Sequence, residues 1–385
     1  MADELRFDTR LVHAGEPRLE GSVVTPVFQS ATFLYEGSGT GYHDLRYVRL
    51  NNTPGHDALH AKLASLEGAE AALVTSSGMA AISTALLTVL RAGDHVLVQE
   101  GVYGGTHELC RHDLPELGIE VDFVPGDDPS AWARRRRPST RAFYLETLTN
   151  PLLRVPDVGV AVAFAREHGL TTLIDNTFAS PVNYRPLEHG IDLVLHSATK
   201  YLNGHTDLAA GVVAGSRELV ERVRHRLNHL GGVLDPHACF LLGRGLKTLG
   251  VRVRHQNAAA LTLARSLSGN PAVASVHHPL LDTHPDHVRA RETLAGTGGM
   301  LSFDVAEDAS VDRFLAALSV PLVAPSLGGV ETLVSLPART SHAGLSEADR
   351  GRLGIGESLV RVSVGLEDVR DLVEDFDRAL TASRR

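Results

Sequence analysis

Lysine is almost missing from this chain. Of 37 basic residues, all but Lys62, Lys200 and Lys247 are arginine. Cysteine is as scarce. Cys110 and Cys239 cannot form a disulfide framework, which suits a reducing compartment, so the expected location is cytoplasmic. There is no run of 18 apolar residues, which excludes a transmembrane helix. The opening stretch MADELRFDTRLVHAGEP has charges where a signal peptide needs an apolar core. Positive charge is not in excess either. A formal net charge of −9 argues against a general nucleic-acid or anionic-membrane binder, and Arg134 to Arg137 read as a solvated turn. No H-E-x-x-H motif occurs among the 20 histidines. The i, i+4 pairs His56/His60 and His225/His229 have no evident third ligand nearby, so no metal is expected.

What is present is an ordinary globular composition. Of 385 residues, 43% are hydrophobic and 22% charged, enough for two or three packed units. Residues 1–57 have no sustained helical or alternating period and are rich in Gly, Pro, Thr and Asn. Such a segment cannot build its own core, so it is expected either to be disordered or to lie along another surface as an N-terminal arm. From Asp57 helical spacing begins with DALHAKLASLEG. Seven short β-rich runs then alternate with helical stretches: AALVTSS, DHVLVQE, IEVDFVP, RAFYLET, TTLIDNT, DLVLHSA and AAGVVAG. Strands buried on both faces and spaced by helices predict a mostly parallel seven-stranded α/β sheet over 58–250. One long helical pattern after Arg244 and four shorter strand candidates predict a smaller α+β C-terminal domain over 251–385.

Open α/β sheets bind ligands beyond the carboxyl ends of their strands. Polar residues collect at those positions: Ser77, Gly78 and Met79 after AALVT, Tyr103 after HVLVQEGV, Asn150 after AFYLETLT, Asp175 after TTLI, and Ser197, Thr199 and Lys200 after DLVL. Taken singly, each has a plainer reading. Asp175-Asn176 could start a turn, Gly78 could bend the chain into a helix, and Lys200 could be a solvated strand end. Together they suit an aldehyde cofactor bearing a phosphate and a protonated ring nitrogen. A buried lysine amine is shifted toward its neutral form and condenses with an aldehyde. The hydroxyls of Ser197 and Thr199 and the helix N-terminus at Gly78-Met79 suit a phosphate. A carboxylate at Asp175 suits a pyridinium.

The motifs SATKYLNGH, DNTF, VYGGT, SSGMAA, TNP, SLGGVET and LVRVSVGLED resemble the Cys/Met-metabolism family of pyridoxal-phosphate enzymes, the cystathionine γ-synthase, cystathionine γ-lyase and methionine γ-lyase relatives of fold type I. The resemblance runs from residue 13 to the final helix. It implies pyridoxal 5′-phosphate as cofactor and Lys200 as both its covalent partner and the proton shuttle. It implies Asp175 at the ring nitrogen and Tyr103 stacked on the ring near the leaving group, with Gly78, Met79, Ser197 and Thr199 around the phosphate. Tyr47 and Arg49 of YVRLNNTP would reach the phosphate of a neighbouring subunit in a homotetramer. Arg361 would bind the substrate carboxylate, with Asn150 and Ser326 beside it.

The activity implied is β- or γ-elimination, or γ-replacement, on a sulfur-containing amino acid or O-acylhomoserine. A cystathionine γ-synthase or γ-lyase type is the first expectation. A sulfhydrylase or a methionine γ-lyase-like enzyme is the alternative, and a cofactor-binding regulatory protein is the non-enzymatic one. Three positions depart from the family pattern. Pro325 stands where cystathionine-handling members usually have glutamate, and Glu108 where they often have arginine; both are expected to face the distal part of the substrate. Gly105 stands where methionine γ-lyases typically have cysteine.

Overall fold

A computed structural model describes residues 5–34 and 45–384; residues 35–44 of the expected arm lie outside it. All seven strand candidates of the first half form strands: β1 (Ala71–Thr75), β2 (His95–Gln99), β3 (Glu120–Val124), β4 (Thr140–Glu146), β5 (Thr171–Asp175), β6 (Leu193–Ser197) and β7 (Gly211–Gly215). They lie side by side in the order β1-β7-β6-β5-β4-β2-β3. The run from β6 through β5, β4 and β2 to β3 is parallel, while β7 is antiparallel to both β6 and β1. Reversing β7 brings its first residue, Gly211, level with Thr75 and Ser197. The start of β7 therefore shares an edge with the ends of its neighbours.

Helices cover both faces, as a parallel sheet requires. Alternation along β1 illustrates the division. Leu73 packs with Ala81, Ile82 and Leu86 of helix α3 (Gly78–Val89) and with Val220 and Val223 of the helix Arg217–Leu230. Ala72 and Val74 pack with Leu59, Leu63 and Leu66 of α2 (Pro54–Glu67). Fully burying such side chains stabilises the fold by about 1.5–3 kcal/mol each. Pro54 at the first turn, the Thr53 side chain accepting from the His56 N–H, and Gly68 at φ 68° delimit α2, in line with ordinary helix start and stop chemistry.

The C-terminal part carries a second sheet of β8 (Val273–His277), β9 (Met300–Val305), β10 (Leu322–Val323), β11 (Leu333–Ser335) and β12 (Leu359–Ser363), in the order β10-β11-β12-β9-β8. Two-residue β10 had no counterpart among the sequence candidates. The long helical pattern after Arg244 proves to be two helices, Pro236–Leu246 and Leu249–Ser268, because Thr248 leaves helical geometry at φ −109° and ψ 3°. The N-terminal segment also differs from expectation. It contains a short helix, α1 (Phe7–His13), whose Leu11 is buried against the α2 side of the core. Lys62 on α2 donates to the carbonyls of Leu11 at 2.9 Å and Val12 at 3.4 Å. Glu16 is clasped between Lys62 at 3.4 Å and Lys247 at 3.0 Å.

Candidate active site

A cavity of about 660 Å³ opens at the carboxyl edge of the large sheet and is closed on its far side by the C-terminal part. Five of the seven strands, β1, β2, β4, β5 and β6, deliver a side chain by ending there. Ser77 follows β1 and caps α3 (Gly78–Val89) by accepting from the Ala80 N–H at 3.0 Å. Tyr103 follows β2 and precedes α4 (Gly104–Glu108). Glu146, Asp175 and Ser197 are the last residues of β4, β5 and β6. All five line the cavity, together with Gly78, Met79, Asn150, Thr199, Lys200, Ser326 and Arg361. Ten of the twelve side chains expected from the sequence thus converge.

Lys200 lies in the turn after β6, and its Nζ donates to Ser326 Oγ at 2.7 Å. Burial, reinforced by the Arg361 charge, lowers its pKa to about 8. Arg361, on β12, is 5% exposed. Its guanidinium donates to Asn150 Oδ1 and to the Ser326 carbonyl, both at 3.1 Å. Burial lowers its pKa to about 10, so it is a cation at neutral pH. Among the described residues no carboxylate lies within 4 Å of it, and a buried unpaired guanidinium is costly. Ser326 holds both Lys200 and Arg361 from a backbone with φ 90°, a conformation non-glycine residues rarely adopt.

Asp175 is the mirror case. Its Oδ1 accepts from the Thr177 N–H at 2.8 Å, and no cation lies within salt-bridge reach among the described residues. Burial raises its pKa, partly opposed by Thr177 and His196. At the other end of the cavity, α3 starts against β6. A Cβ on Gly78 would stand 2.7 Å from Ser197 Cβ and 2.9 Å from its Cα. The unpaired first-turn N–H groups of α3 thus meet the end of β6 as closely as backbone allows. Thr199 Oγ1 exchanges hydrogen bonds with Ala210, donating to its carbonyl at 3.2 Å and accepting from its N–H at 3.0 Å.

A family model for Cys/Met metabolism PLP-dependent enzymes matches residues 8–381. The chain belongs to that family. Its cofactor is accordingly pyridoxal phosphate, and the cavity fits the group: one lysine amine shifted toward neutrality, an uncompensated carboxylate, and a helix N-terminus edged by hydroxyls. Cystathionine gamma-lyase of Bacillus subtilis is 43% identical over 381 residues, covering 98% of this chain and 99% of that protein. L-methionine gamma-lyase of Pseudomonas putida is 41% identical, covering 98% of each. Among solved structures, cystathionine gamma-lyase from Lactobacillus plantarum complexed with L-serine superposes with a TM-score of 0.95 at 35% identity, covering 99% of this chain and 100% of that one.

Within this chain Tyr47 and Arg49 stand apart from the cavity. Arg49 donates to the Asn228 carbonyl at 3.1 Å and lies 5.7 Å from the Tyr47 ring centroid. Of the two positions expected to face the distal part of the substrate, Pro325 lines the cavity. Glu108 does not. The turn of α4 carries it outward to His112, 3.5 Å away, and toward Gly344. Residues passed over in the sequence are Glu146, Thr177, Thr340 and Ser341. Glu146 had a signal, since it ends its strand as Asp175 ends the next. Ser341 had none, yet its carbonyl packs so closely on Gly104 that a Cβ there would overlap it. Among the described residues no cluster of His, Cys, Asp or Glu could hold a metal ion, and no helix is long and apolar enough to cross a membrane.

Proposed function

We propose that this cavity carries out elimination or replacement of a β- or γ-substituent on a sulfur-containing amino acid, with Lys200 at its chemical centre. The reaction class follows from family membership and from relatives that include cystathionine gamma-lyase, cystathionine beta-lyase and L-methionine gamma-lyase. When bound, pyridoxal phosphate supplies an aldehyde for a lysine amine and a ring that withdraws electrons from the substrate α-carbon. Lys200 is the residue that holds it covalently, and Lys200 Nζ moves the proton at the α-carbon. A pKa of about 8 leaves a useful fraction of the amine neutral near pH 7. Asp175 would pair with the ring nitrogen, and Tyr103 would stack on the ring close to the departing group. Gly78, Met79, Ser197 and Thr199 would hold the phosphate.

Arg361 receives the substrate carboxylate through its planar fork, with Asn150 and Ser326 fixing its orientation. The observation that carries this reading is the pair of unmatched buried charges, Arg361 and Asp175, flanking one depressed lysine in a single cavity. A cystathionine γ-lyase or γ-synthase type of turnover is the first reading. Pro325 on the cavity wall, where a carboxylate would anchor the distal end of cystathionine, supports a second: a methionine γ-lyase-like or O-acylhomoserine-using enzyme. Tyr47 and Arg49, partly exposed and outside their own cavity, complete the site of a neighbouring subunit in a cytoplasmic homotetramer.

Keto-acid and thiol release with cystathionine, methionine, cysteine and O-acylhomoserines separates the two readings. Lys200→Ala should abolish the bound-cofactor absorbance, and borohydride reduction of the wild type should tag the peptide containing Lys200. A label on another peptide overturns the assignment. Mixing Arg49→Ala with Lys200→Ala subunits should restore part of the activity; no recovery despite demonstrated subunit exchange refutes the shared site.

A further inference from the structure

β4 and β5 end in step. Glu146 and Asp175 are direct partners in the parallel ladder, so both side chains leave the sheet on the same face, on strands about 4.8 Å apart. Both are buried, at 4% and 8% exposure, and both line the cavity. Neither has a cation within 4 Å among the described residues. Two adjacent buried carboxylates cannot both ionise at neutral pH, so the pair retains one proton.

The surroundings decide which one keeps it. Asp175 accepts a backbone N–H from Thr177 and has His196, on β6, as a favourable neighbour. On the proposed function it also meets the cofactor's ring nitrogen. Glu146 has only the Tyr103 N–H, donated to its Oε1 at 2.7 Å. The other titratable groups facing the pair are Tyr144, two residues back on β4, and Tyr103. Lys200 and Arg361 line the same cavity.

We propose that Glu146 works as a neutral carboxylic acid: it positions Tyr103, and by keeping its proton it leaves Asp175 as the one ionised carboxylate at this end of the cavity. Burial and the adjacent Asp175 charge, which raise the Glu146 pKa well above the usual carboxyl range, agree with this. The positioning is specific. Tyr103 is the N-cap residue of α4, and its ring folds back over the first turn, where a Cβ on Gly105 would come 2.7 Å from it. Pinning the Tyr103 N–H therefore sets where the ring enters the cavity. Glu146 is in turn held by its own N–H, which donates to Gln99 Oε1 at 2.9 Å. The inference rests on the proposed function for the identity of Asp175's partner, but not for the site of the proton.

The test compares Glu146→Ala, Glu146→Gln and Glu146→Asp in the holoenzyme. Glu146→Ala should lower kcat by about tenfold, the worth of one buried hydrogen bond. Glu146→Gln, neutral and of the same shape, should restore most of that loss without moving the pH midpoints of the cofactor absorbance. Glu146→Asp, too short to reach the Tyr103 N–H, should behave like Glu146→Ala. Infrared spectroscopy at neutral pH should find a protonated-carboxyl band in the wild type that is lost in Glu146→Gln. The proposal is overturned if no such band is lost, if Glu146→Gln is as impaired as Glu146→Ala, or if Glu146→Gln shifts the absorbance midpoint by about one pH unit. The infrared result needs no turnover, so an inactive wild type would count against the proposed function and not against Glu146.

Discussion

Replacing Lys200 by methionine in the cofactor-free protein should make it more stable at neutral pH. Methionine keeps the unbranched stem and removes the charge. Burial lowers the lysine pKa from 10.5 in an exposed setting to about 8 in the fold. That difference corresponds to about 3 kcal/mol of destabilisation, at ~1.4 kcal/mol per pH unit. The sign follows from proton uptake. Below about pH 8 the amine is protonated in both states, so the folded protein bears the full cost. Between about 8 and 10.5 only the unfolded chain holds the proton, and the cost fades as pH rises through this interval. Methionine also forfeits the 2.7 Å bond to Ser326 Oγ, a loss of about 1 kcal/mol. The net gain near pH 7 is then about 2 kcal/mol. For a chain of 385 residues this raises the midpoint by roughly 2–3 °C, at about 2.1 cal/mol/K of unfolding entropy per residue. Thermal unfolding of the two apo-proteins at pH 7 and pH 10 measures it. A variant no more stable than wild type at pH 7, or an advantage that does not narrow by pH 10, would refute the account of Lys200.

Arg361→Lys keeps a charge but loses the fork; kcat/KM should fall about 100-fold, mostly through KM, while the cofactor absorbance stays unchanged. Gly78→Ala places a Cβ against the Ser197 backbone, and overpacking of about 1–3 kcal/mol should appear as a cofactor Kd at least several-fold weaker in equilibrium titration. A Kd equal to wild type would mean that α3 and β6 can separate without cost.

The large sheet was legible because most of its strands are short apolar runs ended by polar residues. Leu193-Val194-Leu195 before His196 is such a case, and all three apolar residues are fully buried. The strand-end residues of the site were legible for the same reason. What periodicity does not encode is contact between distant segments. Lys200 and Ser326 are 126 positions apart, and Gly104 and Ser341, which also meet, are further apart still. The pairing of Glu146 with Asp175 depends on register, which neither strand reveals alone. Glu108 was misplaced because α4 starts at Gly104 and turns its fifth residue away from the cavity. Helix α1 was missed because seven residues are too few for a helical period to stand out beside Gly- and Pro-rich neighbours. Its order comes from packing on α2 and not from local preference.

The clasp of Glu16 between two lysines has a practical side. Lys62 is enclosed beneath α1 at 3% exposure, and Lys200 points into the cavity. Lys247 keeps 26% of its side chain accessible. Apart from the chain terminus, amine-directed reagents therefore have one partly open side chain to find on the folded protein. Conjugation or surface immobilisation through amines would attach at the base of the N-terminal segment, leaving the arginine-covered remainder unmodified.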